Sequence, residues 1–254
     1  MLAEERKNRI IEIIKEERIV KVTDLSQRFE ATEATIRRDL EELQRMGMVR
    51  RIHGGAVLPT KISRDFNYSD LSVLCIEEKK RIAAKAYEFI QTGDNLLLDG
   101  STTVLELGKL LLKNPPGGIS IITNSFNLVA LFTGSNIRVI HTGGELCSGM
   151  NYATGVIAEQ MLSGIRVDKC FLGANGIEPS YGYSVPHFPD ASLKKWMRKA
   201  SGLTFVLADH TKFGDSYMAK FADFTEDVDY LITDRLPDEL KKHETDSTTR
   251  FITA

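Results

Sequence analysis

The chain has few cysteines and no long apolar run. Only three cysteines occur in 254 residues, Cys75, Cys147 and Cys170. Isolated cysteines in odd number, with no CxxC pair, argue against a disulfide framework and against a cysteine zinc site. No apolar stretch approaches the roughly 18 residues of a membrane span, and the polar start MLAEERKNR is unlike a signal peptide. We therefore expect a cytoplasmic protein with no membrane partner.

Common cofactor motifs are also missing. The five histidines form no HxxxH or HExxH pair, and the sequence contains neither a GxxxxGK[ST] loop nor a GxGxxG loop. These absences argue against a bound metal, ATP or a dinucleotide. We expect no cofactor.

Charge of one sign is not in excess, because the chain has a formal net charge of -2. Residues 1 to 60 hold 12 Lys/Arg and 11 Asp/Glu, a net charge of +1. Arginines nevertheless cluster in the stretch ATEATIRRDLEELQRMGMVRRIHGGA, residues 31–56. A solvated helix face is the ordinary explanation of such a run, so any functional explanation depends on the surrounding pattern. The clustered residues are Arg37, Arg38, Arg45, Arg50 and Arg51.

Residues 1–58 have the pattern of three helices and a hairpin. Ile10, Ile13 and Ile14 have the spacing of one buried helical face. A second helix is predicted after Thr23 as its N-cap, with Leu25 and Phe29 on one face. Thr32 caps a third helix that runs to Met46, and Gly47 stops it. MVRRI and AVL, joined by a glycine turn, predict two short strands. This order is that of a winged helix-turn-helix.

The third predicted helix separates its apolar and basic faces. Ile36, Leu40 and Leu43 form the buried stripe. At 100° per residue, Arg38 and Arg45 point almost directly away from that stripe. A recognition helix reads DNA bases with its N-terminal residues, so we predict Thr35 and Arg38 nearest the bases.

From residue 75 to residue 254 the pattern is that of an α/β domain. Short apolar runs alternate with helical stretches such as KKRIAAKAYEFI and TTVLELGKLLL. Continuous apolar strands separated by helices indicate a parallel sheet that is covered on both faces. Residues 59–74 are polar without a clear period and are predicted to be a linker. The predicted strands contain Leu96–Leu98, Ile119–Ile122, Ile137–Ile140, Cys170–Leu172, Phe205–Leu207 and Tyr230–Ile232.

Small polar residues follow five of these strands, in the segments DGSTT, TNS, HTGG, ANG and DHTK. The carboxyl ends of parallel strands share one edge, where helix N-termini favour anions. DGSTT places backbone amides and hydroxyls where a helix begins, which suits a small phosphorylated ligand. Glycine and serine after strands also occur as plain turns, and Asp99 and Asp209 either accept sugar hydroxyls or cap helices. His141 and His210 lack an evident acid–base partner, so we expect no catalytic residue.

Nearly the whole chain resembles the DeoR family of bacterial transcription repressors. The N-terminal resemblance lies in TIRRDL, residues 35–40, and RIHGGA, residues 51–56. The C-terminal resemblance lies in DGSTT, ITN, TGG, GANGI, LADHTKFG and DYLITD. The segments DASLK (190–194) and YGYSVPHFP depart from the family's common EAEVK and GLTT forms. The resemblance implies a sensor domain similar in fold to ribose 5-phosphate isomerases, glucosamine 6-phosphate deaminases and CoA transferases.

The resemblance also implies a function. The protein would be a repressor of sugar or polyol catabolism that binds double-stranded operator DNA and a phosphorylated sugar or polyol. Because one N-terminal module with a net charge of +1 should bind DNA poorly alone, we also expect a homo-oligomer. The expected DNA contacts are Thr32, Thr35, Arg37, Arg38, Arg50, Arg51, His53 and Gly54. The expected effector contacts are Asp99, Gly100, Ser101, Thr102, Thr103, Thr123, Asn124, Gly143, Gly144, Asn175, Gly176, Lys194 and Lys212.

Two alternatives remain open at the level of sequence. The chain could be a sugar-phosphate isomerase or deaminase with an appended DNA-binding module, although a helix-turn-helix has no role in such catalysis. It could also be a DNA-binding protein whose sensor pocket is vestigial.

Overall fold

The structure is a computed structural model that describes residues 3–17, 19–52, 54–57, 68–147, 149–241 and 247–254. The chain divides into two compact units, Met1–Cys75 and Ile76–Ala254. The smaller unit combines helices with a small antiparallel sheet, and the larger unit is built on a seven-stranded parallel sheet. The predicted fold class is therefore confirmed. In the part of the chain that is described, no helix has the length and apolar character needed to cross a bilayer.

The smaller unit is a winged helix-turn-helix. Its core contains Ile10, Ile14, Leu25, Ile36 and Leu40, none of them more than 1% exposed. The stripe predicted for the third helix thus packs inward. The elements in chain order are α1 (Ala3–Glu17), β1 (Ile19–Lys21), α2 (Val22–Arg28), α3 (Glu33–Arg45), β2 (Arg50–Ile52), β3 (Gly55–Val57) and α4 (Tyr68–Val73).

Strand β1, which was not predicted, lies directly before the second helix. It pairs antiparallel with β3, so the small sheet has the order β1-β3-β2. Helix α2 begins directly after it, and the Val22 amide donates to the Gly54 carbonyl at 2.9 Å. Because this carbonyl from the β2–β3 turn satisfies a first-turn amide, no side-chain cap is used, and Thr23 as N-cap was wrong. Phe29 was also misplaced, because it follows the end of α2 and is half-buried.

The predicted linker contains a helix. Residues 58–67 lie outside the described part of the chain, but α4 spans Tyr68–Val73. Tyr68, Leu71 and Leu74 are each less than 10% exposed. Tyr68 and Leu71 are three residues apart and lie on one side of this short helix, and Leu74 directly follows it. This segment is therefore packed, and the boundary at residue 58 stays a prediction.

The larger unit alternates helices and strands, as the apolar runs predicted. The elements are α5 (Ile76–Tyr87), β4 (Asn95–Leu98), α6 (Thr102–Lys113), β5 (Ser120–Thr123), α7 (Phe126–Phe132), β6 (Arg138–His141), β7 (Glu145–Cys147), β8 (Tyr152–Thr154), α8 (Val156–Ser163), β9 (Val167–Gly173), β10 (Gly176–Glu178), β11 (Gly182–Val185), α9 (Phe188–Lys199), β12 (Ser201–Leu207), a short 3-10 helix (His210–Lys212), β13 (Ala219–Ala222), β14 (Tyr230–Thr233), α10 (Asp238–Lys241) and β15 (Arg250–Thr253).

The central sheet has the strand order β15-β14-β12-β9-β4-β5-β6, with every neighbouring pair parallel. The six predicted apolar runs all fall in or beside its strands. The seventh strand, β15, was not predicted, because RFIT has only two consecutive apolar residues and follows a polar stretch. From β4 the chain proceeds outward through β5 and β6, and from β9 it proceeds outward the other way. The order therefore reverses between β4 and β9.

Both faces of this sheet are buried, which explains its continuous apolar strands. Leu97 belongs to one core cluster with Leu162 and Leu193 from helices α8 and α9. Its neighbours Leu96 and Leu98 belong to the other cluster, which includes residues of α5, α6 and α7. Successive side chains of a strand point to opposite faces, so a doubly covered strand needs apolar residues at every position.

Two small antiparallel sheets were not predicted. One has the order β10-β11-β13, and the other is the β7–β8 hairpin. Their strands are three or four residues long, too short for a clear alternation of apolar and polar residues. Both follow carboxyl ends of central strands, so they contribute to the surroundings of the predicted ligand site.

Candidate functional site

The N-terminus of α3 is fixed by a threonine cap. Thr32 is the N-cap residue, and its Oγ1 accepts the Thr35 amide at 3.2 Å. The two hydroxyls lie 2.9 Å apart. The predicted cap is confirmed, and both predicted DNA-contact threonines take part in one local network. This network holds the first turn of α3 in place at the exposed surface.

The arginines of α3 differ in their partners. Arg37 pairs with Glu33 one turn earlier, at 2.8 Å between Nη2 and Oε2. Arg38 is exposed and makes no hydrogen bond or ion pair with any described residue. It borders an open groove of about 470 Å³ together with Ala34 and Thr35. Arg38 is thus the arginine at the start of α3 whose donors are available to a partner.

The wing, strands β2 and β3, places Arg51 against α3. Its Nη1 donates to the Arg37 carbonyl at 3.2 Å and lies 3.7 Å from the Glu41 carboxylate. The side chain is only 21% exposed. Arg51 therefore joins the wing to the recognition helix in addition to carrying positive charge. Gly54 sits in the turn at φ +78°, a conformation that glycine adopts without strain. The side chain of Arg50 and all of His53 lie outside the described residues.

Two ion pairs fasten α1 to α3, and the sequence did not reveal them. Arg6 donates to both carboxylate oxygens of Asp39, at 2.5 and 3.1 Å. Lys7 pairs with Glu42 at 2.9 Å. Asp39 is only 4% exposed although it lies in the middle of a charged run. Partners 33 and 35 residues apart leave no local signal, so only the fold brings these groups together.

In the larger unit, the predicted effector loops lie along one edge of the sheet. The reversal of strand order between β4 and β9 places DGSTT, after β4, beside the segment after β9. Such a switch point is where open α/β sheets bind ligands. The α6 helix is 12 residues long and starts at this point, with the Ser101 hydroxyl accepting the Val104 amide at 3.3 Å. Ser101 and Thr102 are partly exposed there, and Thr103 is buried.

Asp99 is the centre of a buried ionic cluster at the switch point. One carboxylate oxygen accepts the Ser101 amide at 2.9 Å, and the other accepts the Gly173 amide at 2.7 Å. The Lys194 ammonium donates to the second oxygen as well. Asp190, one turn before Lys194 on α9, lies 3.9 Å from the ammonium. The structure thus brings together two predicted site residues, Asp99 and Lys194, with Asp190. Asp190 was not among the predicted contacts, although its i, i+4 spacing from Lys194 is a signal in the sequence.

Burial and charge act in opposite directions on this cluster. Burial lowers the pKa of Lys194, but Asp190 and Asp99 raise it more, so the net shift is upward. Burial raises the pKa of Asp190, and the Lys194 charge offsets only part of that rise. Lys194 is therefore held as a cation between two carboxyl groups.

The loop after β5 is anchored to the β7–β8 hairpin. Thr123 is fully buried, and its hydroxyl accepts the Ser125 amide at 3.0 Å, so it stabilises the turn. Asn124 donates from Nδ2 to the Ala153 carbonyl at 2.9 Å. Its Oδ1 is buried and has no hydrogen-bond donor among the described residues. This buried acceptor is suited to a hydroxyl or amide of a ligand.

The remaining predicted contacts are more dispersed. Gly143 donates its amide to His141 Nδ1 at 3.0 Å, and Gly144 packs against the Thr154 backbone. Asn175 donates its amide to the Ser184 carbonyl at 3.1 Å, and Gly176 begins β10. These residues shape the loops of the edge rather than joining the Asp99 cluster directly.

Lys212 forms part of a second charged cluster, after β12. Asp209 caps the short 3-10 helix by accepting the Thr211 amide at 3.0 Å, and Lys212 Nζ lies 3.8 Å from its carboxylate. Burial raises the pKa of Asp209, but Lys212 and Lys79 lower it more, so the pKa lies well below the usual range. His210 has an acidic partner that was not predicted, because its Nδ1 lies 2.7 Å from Asp234 directly after β14.

Comparisons with known proteins agree with this two-part arrangement. The model of the DeoR-like helix-turn-helix domain matches residues 6–62, and that of the DeoR C terminal sensor domain matches residues 74–235. The chain is 37% identical over 235 residues to the uncharacterized HTH-type transcriptional regulator YulB of Bacillus subtilis (strain 168), covering 92% of this chain and 90% of that protein. It is 32% identical over 240 residues to the HTH-type transcriptional repressor GlcR of the same organism, covering 94% and 91%.

Among solved structures, the chain is similar to ribose 5-phosphate isomerase from Plasmodium falciparum, with 15% identity, a TM-score of 0.39 and coverage of 54% and 52%. The helix-turn-helix match lies in the smaller unit, and the sensor-domain match covers most of the larger unit. The helix-turn-helix with its exposed Arg38 and the α/β unit with its buried switch-point cluster are the two parts that these models describe. The chain belongs to the DeoR family of DNA-binding transcriptional regulators.

Proposed function

We propose that the protein represses a sugar or polyol catabolic operon and that a phosphorylated sugar or polyol controls it from the sensor unit. One observation supports this ligand assignment. Where the strand order reverses, the Asp99 carboxylate accepts hydrogen bonds from the Ser101 amide and from the Lys194 ammonium. The helix N-terminus at Ser101–Thr103 favours a phosphate. The cluster of Asp99, Lys194 and Asp190 offers acceptors and a donor to sugar hydroxyls.

On the DNA side, α3 enters the major groove and Arg38 reads a base, while the wing residues contact phosphates. An arginine whose donors are unpaired can make two hydrogen bonds to guanine O6 and N7. Arg51 is partly neutralised by Glu41, so its contribution to phosphate binding depends on that pair. The ligand changes DNA affinity only if it binds the DNA-competent and incompetent states with different affinities.

Thermal unfolding with and without sugar phosphates tests the ligand assignment. Ribose 5-phosphate, glucosamine 6-phosphate and glycerol 3-phosphate make a first panel. A ligand at 100 times its Kd stabilises the folded state by about 2.7 kcal/mol, which raises the melting temperature. Lys194→Met removes the cation, and we expect it to abolish the shift, whereas Lys109→Met, which breaks an ion pair with Glu106 on α6, leaves it intact. Absence of a shift with any sugar phosphate would favour a vestigial pocket.

Regulation fits the site better than sugar-phosphate isomerisation or deamination. Lys194 and Asp99 are bonded to each other, so neither is a free acid or base, and the relatives YulB and GlcR are named as a transcriptional regulator and a transcriptional repressor. We therefore expect no turnover of ribose 5-phosphate or glucosamine 6-phosphate by the purified protein. The enzymatic alternative would be supported if the protein formed more than one equivalent of product per chain and if Asp99→Asn abolished that activity.

A further inference from the structure

One continuous segment of the larger unit is poor in charge. Residues 114–165, from the end of α6 to just beyond α8, contain only three Asp, Glu, Lys or Arg residues, namely Arg138, Glu145 and Glu159. Charged residues make up 27% of the whole chain, so three in 52 residues is far below its average. The central part of a protein–protein interface is likewise depleted of charge. The segment is therefore a candidate interaction surface.

The same segment exposes large apolar side chains. In the part of the chain that the structure describes, nine large hydrophobic residues are exposed, and four of them lie here. Single exposed apolar residues are ordinary on protein surfaces, whereas a contiguous group indicates a binding surface. We call the four residues the apolar patch: Phe126 (42% exposed), Leu146 (66%), Val156 (66%) and Ile157 (63%).

Contacts with neighbouring residues make the patch continuous. Phe126 begins α7, and its ring stacks on His141 with the two centroids 4.6 Å apart. His141 Nδ1 accepts the Gly143 amide at 3.0 Å. A Cβ atom added to Gly143 would lie 3.7 Å from Cγ2 of Ile157, the second residue of α8. Leu146 is three residues beyond Gly143, on β7. The patch therefore lies around the loop that follows β6.

The elements that carry the patch are firmly packed. On β8, the Ala153 amide donates to the Asn124 carbonyl at 2.8 Å. Tyr152 packs on Gly100, where an added Cβ atom would lie 2.6 Å from the Tyr152 Cβ. Helix α8 places Leu162 in the core on one face of the central sheet. The patch is thus a fixed surface, and burial of its side chains requires a second surface that covers it.

The size of the patch matches one side of a dimer interface. Its four residues expose about 450 Å², if a fully exposed large apolar residue presents about 200 Å². A stable complex of standard size buries about 800 Å² on each partner, of which about 60% is apolar. The patch therefore supplies nearly all the apolar area that one side of such an interface needs.

The charges beside the patch restrict its partner. Glu145 precedes Leu146, and Glu159 follows Ile157 by two positions, so the border of the patch is acidic. Acidic groups repel the phosphates of DNA and of anionic lipids, which argues against both as the partner. A second copy of the chain fits, because one DNA-binding unit with a net charge of +1 binds DNA weakly and two copies combine their affinities.

We propose that two copies of the chain associate patch to patch, about a two-fold axis that passes beside Ile157. In such an isologous interface, the same surface of both copies is used, and a residue near the axis faces its own counterpart. Association covers the apolar patch and leaves Glu145 and Glu159 at the solvated rim. The assembly then carries two recognition helices. This inference concerns assembly and does not depend on the proposed ligand.

Opposite charges at one position test this arrangement. Ile157→Asp and Ile157→Lys each place like charges on the two sides of the axis, and the exposure of Ile157 allows either side chain in the separate chain. Val156→Asp is a second disruptive variant. Leu112→Lys is the matched control, because Leu112 is 37% exposed on α6, outside the patch. Sedimentation velocity of the full chain as a function of concentration gives the dissociation constant, and circular dichroism verifies that each variant is folded.

We expect Ile157→Asp, Ile157→Lys and Val156→Asp to raise the dissociation constant of self-association at least about tenfold, because each places unpaired charges in an apolar interface. Leu112→Lys should leave that constant unchanged. An equimolar mixture of Ile157→Asp and Ile157→Lys should associate more tightly than either variant alone, since the mixed pair brings opposite charges together.

Three outcomes would overturn the proposal. A monomeric wild type would mean that the patch binds a different protein. Folded patch variants with the wild-type dissociation constant would mean that the chain self-associates through another surface, and the expectation of a homo-oligomer would stand. Patch variants that dissociate without recovery in the mixture would mean that the patch meets a different surface of the second copy.

Discussion

At the scale of single residues, the arginines of the DNA-binding unit are distinguished by their partners. Arg38 is exposed and makes no hydrogen bond or ion pair with a described residue, while Arg37 is paired with Glu33. We predict that Arg38→Ala weakens operator binding by about 1 to 3 kcal/mol and relaxes base preference at one position. Arg45→Ala, on the last turn of α3, is the matched control and should change operator affinity little. A binding titration with wild-type and single-base operator variants measures both effects, and a neutral Arg38→Ala would contradict this placement.

Arg51 requires a different test because it has two roles. Removing Glu41 frees its guanidinium, whereas removing Arg51 loses both the phosphate contact and the bond to the Arg37 carbonyl. We predict that Glu41→Gln tightens binding to all DNA sequences, and that Arg51→Ala weakens it and lowers the salt slope by about one unit. Titrations at several salt concentrations on specific and random DNA give both slopes. An unchanged slope for Arg51→Ala would show that this residue only supports the wing.

The roles of individual residues were predictable where their interactions lie within one element of secondary structure. The Thr32 cap and the buried Ile36–Leu40–Leu43 stripe follow from spacing within one helix, and the structure confirms them. The Lys194 partner Asp190 was within one turn but overlooked. Tyr152 had no signal at all, because its contact with Gly100 joins segments about fifty residues apart. Sequence periodicity records the neighbours of a residue along its own element and not those across the fold.

At the scale of secondary-structure elements, the ion pairs between α1 and α3 fix the position of the recognition helix. The Arg6 and Asp39 side chains are 12% and 6% exposed, so either charge left alone would be poorly solvated. We predict that Asp39→Ala destabilises the smaller unit by about 3 kcal/mol, at the lower end for breaking a buried pair. Glu33→Ala removes the exposed pair with Arg37 and should cost no more than about 0.5 kcal/mol. Urea unfolding of both full-length variants, followed by hydrogen exchange in α1, measures the difference. Equal free energies of unfolding for the two variants would mean that the Arg6–Asp39 pair is solvated in solution.

The ends of β12 and β14 are joined by a histidine whose charge depends on pH. Burial lowers the pKa of His210, but its hydrogen bond and charge interaction with Asp234 raise it more, so the folded-state pKa lies above the ordinary value. The stabilisation from this pair is then fully present below the unfolded-state pKa, and it disappears as pH rises through the folded-state pKa. We predict that Asp234→Asn costs more stability at pH 5.5 than at pH 9. Denaturant unfolding at the two pH values tests this, and an equal loss at both would contradict it.

The element order of the larger unit was predictable because doubly covered parallel strands need apolar residues throughout. Strands β4, β5, β6, β9, β12 and β14 were all found by this criterion. Strand β15 and the β7–β8 hairpin were missed, since their stability comes from pairing with neighbours rather than from their own composition. Helix α4 was missed within a segment that is polar on average.

At the scale of the whole molecule, the small net charge of one DNA-binding unit limits its affinity for DNA. Residues 1 to 60 carry a net charge of only +1, and three of their acidic side chains neutralise Arg6, Lys7 and Arg37. Phosphate neutralisation supplies much of the affinity of DNA-binding proteins, so a single unit with this charge should bind weakly at physiological salt. Linking two units on one assembly makes the second contact intramolecular and strengthens binding without new contacts.

We therefore predict that the protein binds its operator as a homo-oligomer with two recognition helices on successive major grooves. Half-sites should then be spaced by one helical turn, about 10 to 10.5 base pairs, or a multiple of it. Inserting five base pairs between half-sites rotates one of them to the opposite side of the duplex and should reduce affinity at least tenfold. Inserting ten should restore much of it. Sedimentation of the complex gives the number of chains per operator. A stable single chain on operator DNA, with affinity independent of the insertion, would contradict the prediction, because one unit would then supply all the binding energy.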